Sequence, residues 1–166
     1  GSGQFAARAL EQFPALKATV FDLPSVANLA SERFAREGLA ERAEAIEGNI
    51  FADSLPADHD VVSLVRILHD HDDAAVRQIL TAVRLAIRPE GLLIVAEPMA
   101  ETASAPGVGA YFQFYLWAMG SGRPRSAERL RELMEEAGFA DVRERRTDQP
   151  LQVRLLTARP AERFRP

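Results

Sequence analysis

Two short, nearly continuous apolar runs, Asp60-Val61-Val62-Ser63-Leu64-Val65 and Leu92-Leu93-Ile94-Val95-Ala96, constrain this chain more than any other feature. Each is bounded by polar or turn residues and lacks the alternation of a strand with one wet face. Each therefore reads as a strand buried on both faces, the pattern of a parallel sheet covered by helices. The first of them is expected at the centre of that sheet. Between the two runs, Val76, Ile79, Leu80, Val83 and Ile87 fall on one helical stripe, with Asp72 or Asp73 placed to cap its start. Pro89-Glu90-Gly91 then turns the chain into the second run. Strand, helix and parallel strand make a right-handed crossover unit.

The flanking segments repeat that alternation. Gln4 to Gln12 carries Phe5, Ala6, Ala9 and Leu10 at helical spacing, and Pro14 ends it. Ala18 to Phe21 reads as a strand stopping at Asp22-Leu23-Pro24, and Pro24 suits the first turn of a helix running to about Glu37, with Gly38 as its left-handed cap. Ala43 to Glu47 is a further strand, interrupted by Glu44 and Glu47. Beyond the second apolar run, Tyr111 to Met119 reads as an aromatic helix, and Ser126 caps a helix bearing Leu130, Leu133, Met134 and Ala137 that Gly138 closes. Ala140 to Thr147 and Leu151 to Thr157, around Asp148-Gln149-Pro150, read as an antiparallel hairpin. The sum is an α/β chain, a doubly wound Rossmann-like sheet with a C-terminal antiparallel hairpin, all 166 residues forming one domain.

Composition narrows the function. Twenty basic against 24 acidic residues give a formal charge of −4, which offers no electrostatic reason to bind nucleic acid or an acidic membrane. The absence of cysteine excludes disulfides, a thiolate nucleophile and thiolate metal sites. No apolar run reaches the roughly 18 residues of a membrane-spanning helix, and a soluble, cytoplasmic protein is expected.

Doubly wound sheets bind ligands beyond the C-terminal ends of their strands, so the residues there carry the chemistry: Gly1-Ser2-Gly3, Asp22, Gly48-Asn49, His69-Asp70 and Glu97. Gly1-x-Gly3 opening a helix is the shape of a glycine turn that a nucleotide can approach, although Gly-Ser is also a common expression remnant. Asp22 lies about twenty residues on, where a carboxylate accepts ribose hydroxyls. A lone Asp before Leu-Pro also serves as a plain capping turn. This set fits a nicotinamide dinucleotide site too; the terminal hairpin and the His-Asp pair suit methyl transfer better. The His69-Asp70-His71-Asp72-Asp73 cluster also reads as a solvated helix start, and His59 as a loop residue without a role.

Phe21-Asp22-Leu23-Pro24, Gly48-Asn49-Ile50-Phe51, Ile67-Leu68-His69-Asp70-His71-Asp72-Asp73 and Glu97-Pro98 together resemble the plant-type and bacterial small-molecule O-methyltransferases, along nearly the whole chain. Within that family the likeness is to the hydroxyneurosporene O-methyltransferases of carotenoid biosynthesis, through Glu97-Pro98-Met99, Tyr111-Phe112-x-Phe114-Tyr115 and Gly120-Ser121-Gly122-Arg123-Pro124-Arg125-Ser126. The resemblance implies S-adenosyl-L-methionine as cofactor and no metal. Gly1 and Gly3 would finish its glycine loop, Asp22 would hold the ribose, Asn49 and Ile50 would frame the adenine, and Arg66 is a candidate cofactor contact. His69 would be the general base, oriented by Glu97, and Tyr111, Phe112, Tyr115 and Met119 would line a pocket for an apolar alcohol. It further implies that the first strand of the sheet, between those at Thr19 and Val62, and an N-terminal dimerisation domain are missing from this chain. The full-length protein would then be a homodimer and this fragment inactive. Four positions depart from the family pattern. Asn49 replaces an acid beside the adenine, Val65 a cofactor-contacting lysine and His71 a tryptophan, while Pro124 falls where plant members carry a second orienting carboxylate. A polyketide or phenolic acceptor is the alternative within the class. An NAD(P)-dependent oxidoreductase and an inactive fragment are the alternatives outside it.

Overall fold

The computed structural model describes residues 1–100, 122–148 and 153–162, and the chain divides into two compact units, Gly1–Pro56 and Ala57–Pro166. In the first unit, helix α1 (Gln4–Gln12) is followed by strand β1 (Ala18–Asp22), helix α2 (Pro24–Arg36) and strand β2 (Ala43–Glu47). β1 and β2 pair in parallel, Ala18 opposite Ala43 through Asp22 opposite Glu47. Ala7, Leu10, Ala30, Phe34, Leu39 and Ala43 make the core of this unit. Pro24 sits in the first turn of α2, and Gly38 takes the left-handed conformation just after it, at φ 69°. After α1, the Arg42 guanidinium gathers the carbonyls of Leu10, Pro14 and Leu16 at 3.2–3.3 Å, satisfying groups that a helix end leaves open.

The second unit contains strand β3 (His59–Val65), a 3₁₀ turn (Leu68–Asp70), helix α3 (Asp73–Ala86), strand β4 (Ile87–Glu97), helix α4 (Ala127–Glu136) and strands β5 (Phe139–Arg145) and β6 (Arg154–Pro160). Its sheet runs in the order β3-β4-β6-β5, with β3 and β4 parallel and β6 antiparallel to both of its neighbours. The caps read from the sequence are in place: the Asp72 carboxylate accepts from the Ala75 amide at 2.8 Å and the Ser126 hydroxyl from that of Arg129 at 3.2 Å. Its apolar core runs from Val76, Ile79, Leu80 and Val83 of α3 to Leu93 and Val95 of β4, Leu130, Leu133 and Met134 of α4 and Leu156 of β6.

Among the described residues β3 stands at the edge of this sheet, the position it would have with the strand expected between those at Thr19 and Val62 missing. Of its residues only Leu64 is buried and Val61 is 48% exposed. β4 and β6, each hydrogen-bonded on both sides, take the inner places. Ile87 belongs to β4 and not to the α3 stripe; the Pro-Glu-Gly turn is a bulge within the pairing, where Ile87 lies opposite His59 and Leu92 opposite Val61. The aromatic segment with Tyr111, Phe112, Tyr115 and Met119, and most of the turn at Asp148-Gln149-Pro150, lie outside the described residues. Among those described, no helix is long and apolar enough to cross a membrane.

Candidate active site

In the first unit the expected cofactor residues cluster at the ends of β1 and β2. Gly3 adopts φ 78° where it opens α1, and a Cβ there would lie 3.0 Å from the Phe34 ring, so conformation and packing both call for glycine. No side chain caps the N-terminus of α1. One Asp22 oxygen accepts from the Leu23 amide at 2.8 Å, at the end of β1. Asn49 turns the chain after β2: its side-chain oxygen accepts from Phe51 N at 3.0 Å, and its own amide donates to Asp53 at 2.7 Å. The acceptor expected of Asn49 thus already has a backbone donor, and Asp53 supplies a carboxylate beside it. Ile50 is half-buried in this turn. In sum, the first unit offers a glycine-only turn, open helix N–H groups and a strand-end carboxylate, a donor and acceptor set that fits the hydroxyls and charged groups of a nucleoside-type cofactor.

The second unit holds a buried polar network. His69, Glu97, Arg125 and Thr157 are the buried polar side chains among the described residues, and the first three are linked. The parallel register sets Val65 opposite Ala96, so the segment leaving β3 passes the last residue of β4, Glu97. Arg66 makes the exit in the left-handed region, φ 56°, an unfavourable conformation for a side chain with a Cβ, and its amide donates to Ala96 O at 2.8 Å. The Arg66 side chain is exposed. Leu68, wholly buried, then anchors the 3₁₀ turn.

Glu97 organises that turn. One of its oxygens accepts from the Ile67 and Leu68 amides at 2.8 and 2.7 Å, and the other lies 2.5 Å from His69 Nδ1. A carboxylate has only acceptors to offer, so Nδ1 carries the shared proton in the neutral ring and Nε2 keeps its lone pair. Asp70 Oδ1 is 3.3 Å from Nε2, a contact that becomes attractive once Nε2 is protonated. A histidine of this tautomer, held by a buried carboxylate, is built to accept a proton through Nε2.

Three contributors escaped the sequence reading. The buried Arg125 guanidinium donates to Asp73 and to the carbonyls of Leu68 and His71 at 2.7–2.8 Å. Burial works against the charge of Asp73, yet hydrogen bonds from Arg123, Arg129 and Arg125 outweigh it and hold the carboxyl well below its usual range. Gly122, at φ 86°, packs against the backbone of His69 and Asp70. The signal was present in Gly122-Arg123-Pro124-Arg125-Ser126, but an arginine in a polar run reads as surface.

Residues 1–140 match the O-methyltransferase domain family. The chain is 37% identical over 159 residues to demethylspheroidene O-methyltransferase of Rhodobacter capsulatus, covering 95% of this chain and 39% of that protein. Among solved structures it resembles human N-acetylserotonin methyltransferase in complex with SAM, with a TM-score of 0.85 at 26% identity over 97% of this chain and 45% of the other. It also resembles an O-methyltransferase from neocarzinostatin biosynthesis in complex with S-adenosylmethionine and 2-hydroxy-5-methyl naphthoic acid, with a TM-score of 0.84 at 31% identity over 96% and 46%. The chain spans about two-fifths of the length of the curated relatives it matches.

Proposed function

The chain belongs to the O-methyltransferase domain family, and from that premise we propose that it is the cofactor-binding and catalytic part of an S-adenosyl-L-methionine-dependent O-methyltransferase acting on an apolar alcohol. The substrate in this reading is a hydroxylated acyclic carotenoid such as hydroxyneurosporene. The whole protein would work as a homodimer. The buried His69–Glu97 pair is the observation that carries the reading, because oxygen methylation needs a group to take the hydroxyl proton. The carotenoid substrate is supported by the demethylspheroidene enzyme and by the aromatic Tyr111, Phe112 and Tyr115 with the apolar Met119, which would line the acceptor pocket.

The bound cofactor supplies an electrophilic sulfonium methyl group. Asp22 would accept the ribose hydroxyls, the turn of Gly1 and Gly3 would let the backbone approach closely, and Asn49 and Ile50 would frame the adenine. His69 Nε2 accepts the acceptor's hydroxyl proton, Glu97 keeps the ring in the tautomer that allows it, and Asp70 receives the new N–H before the proton passes to water. An aliphatic alcohol is a weaker acid than a phenol, so a carotenoid acceptor makes this base more necessary.

The test is transfer of labelled methyl from S-adenosylmethionine by the whole protein to hydroxyneurosporene, to a hydroxynaphthoate and to a small catechol, with nicotinamide reduction assayed in parallel. Preferred turnover of the carotenoid is expected. Preference for the hydroxynaphthoate would replace the substrate, and nicotinamide reduction without methyl transfer would replace the reaction.

A further inference from the structure

Arg125 has no part in the proton transfer just described, yet its side chain is 2% exposed and satisfies nearly all of its geometry on one target. Nε donates to Asp73 at 2.8 Å, one terminal nitrogen to Leu68 O at 2.8 Å and the other to His71 O at 2.7 Å. Those two carbonyls bracket His69 in the chain. The Leu68 amide, on the other side of the same residue, is held by Glu97 at 2.7 Å. Three residues upstream of Arg125, Gly122 closes on the same turn, where an added Cβ would lie 2.3 Å from His69 O and 2.9 Å from Asp70 Cα. The short segment 122–125 therefore grips the turn by both a guanidinium fork and a close backbone approach.

We propose that Arg125 is a positioning residue for the His69 base: anchored on Asp73, its guanidinium fixes the Leu68–His71 peptide segment so that the His69 ring stays shared with Glu97 and Nε2 stays aimed for proton transfer. This rests on the reading of His69 as the base. The planar fork explains why arginine occupies the position. Its donors point in fixed, divergent directions that reach a carboxylate and two carbonyls at once, which the single ammonium of lysine cannot do. Rate is sensitive to this kind of support, since a displacement of about 1 Å at the reacting groups costs roughly 10²-fold.

The test uses the whole protein and four variants: R125Q, R125K, G122A and H69Q. Each is measured for kcat of methyl transfer, for S-adenosylmethionine affinity by calorimetry, and for the downfield proton resonance of His69 Nδ1–H, assigned by its loss in H69Q. R125Q is expected to bind the cofactor normally while losing the resonance and about 10²-fold in kcat. R125K is expected to fall between it and the wild type, and G122A to show the same signature by pushing the turn from the other side. If R125Q fails to fold, R125K and G122A decide the matter. Wild-type kcat and an intact resonance in the folded variants would overturn the proposal, as would a loss of kcat with the resonance intact. An H69Q protein with wild-type kcat would instead overturn the base reading beneath it, so the two failures are distinguishable.

Discussion

Replacing Glu97 with glutamine changes almost nothing in size, yet the surroundings dictate how the amide must sit. The Ile67 and Leu68 amides donate to one carboxylate oxygen at 2.8 and 2.7 Å, and these donors are fixed by the backbone. Turning the glutamine NH₂ toward them leaves two buried N–H groups without an acceptor, at about 1–3 kcal/mol each. The opposite orientation is thus favoured by at least about 2 kcal/mol, roughly thirtyfold. In that orientation the amide oxygen faces the backbone and the NH₂ faces His69 Nδ1, which must then accept. The ring proton moves to Nε2, and the nitrogen meant to take the substrate's proton already has one. Where the same acid-to-amide change sets the wrong tautomer in a Ser-His-Asp triad, kcat falls about 10⁴-fold. E97Q in the whole protein should therefore bind S-adenosylmethionine normally by calorimetry while kcat for methyl transfer drops by 10³-fold or more, on the order of that precedent. A folded E97Q protein with kcat near the wild-type value would refute the tautomer argument.

Asp22→Ala should weaken S-adenosylmethionine binding, since each lost hydrogen bond to a charged group is worth about 1.5–3 kcal/mol; unchanged affinity by calorimetry would remove Asp22 from the cofactor site. Asp73→Asn should cost about 3–5 kcal/mol at neutral pH, because it leaves the buried Arg125 without its counter-charge. Thermal melts of the two proteins at neutral pH would show it. The folded-state pKa of Asp73 lies below its ordinary value, so the stability it contributes is full above about pH 4 and is lost as pH falls toward the folded value. The gap between wild type and Asp73→Asn should accordingly narrow in acid, and a constant gap down the acid range would contradict the ion-pair account.

Elements with local punctuation were legible in the sequence almost to the residue. α1 ends before Pro14, α2 begins at Pro24 and stops before Gly38, and α4 follows Ser126, because capping and proline geometry act within one turn. The place of Ile87 in β4 was not legible, since it is set by pairing with His59, far away in the chain. The approach of His69 to Glu97 could be anticipated from two consecutive parallel strands ending at the same sheet edge, and the register of Val65 with Ala96 produces it. Arg125 could not be anticipated in the same way. Its burial depends on carbonyls contributed by a turn more than fifty residues earlier, and no local pattern records that.

The central claim is that His69 takes the acceptor's proton during methyl transfer, and the most direct measurement is single-turnover methyl transfer to hydroxyneurosporene by the whole protein carrying His69→Gln, at saturating donor and acceptor. Removing a general base costs about 10²- to 10⁴-fold, so the account predicts a loss of at least tenfold with cofactor affinity unchanged. Wild-type turnover in a folded, cofactor-binding His69→Gln protein would contradict it and leave alignment of the reactants as the source of the rate.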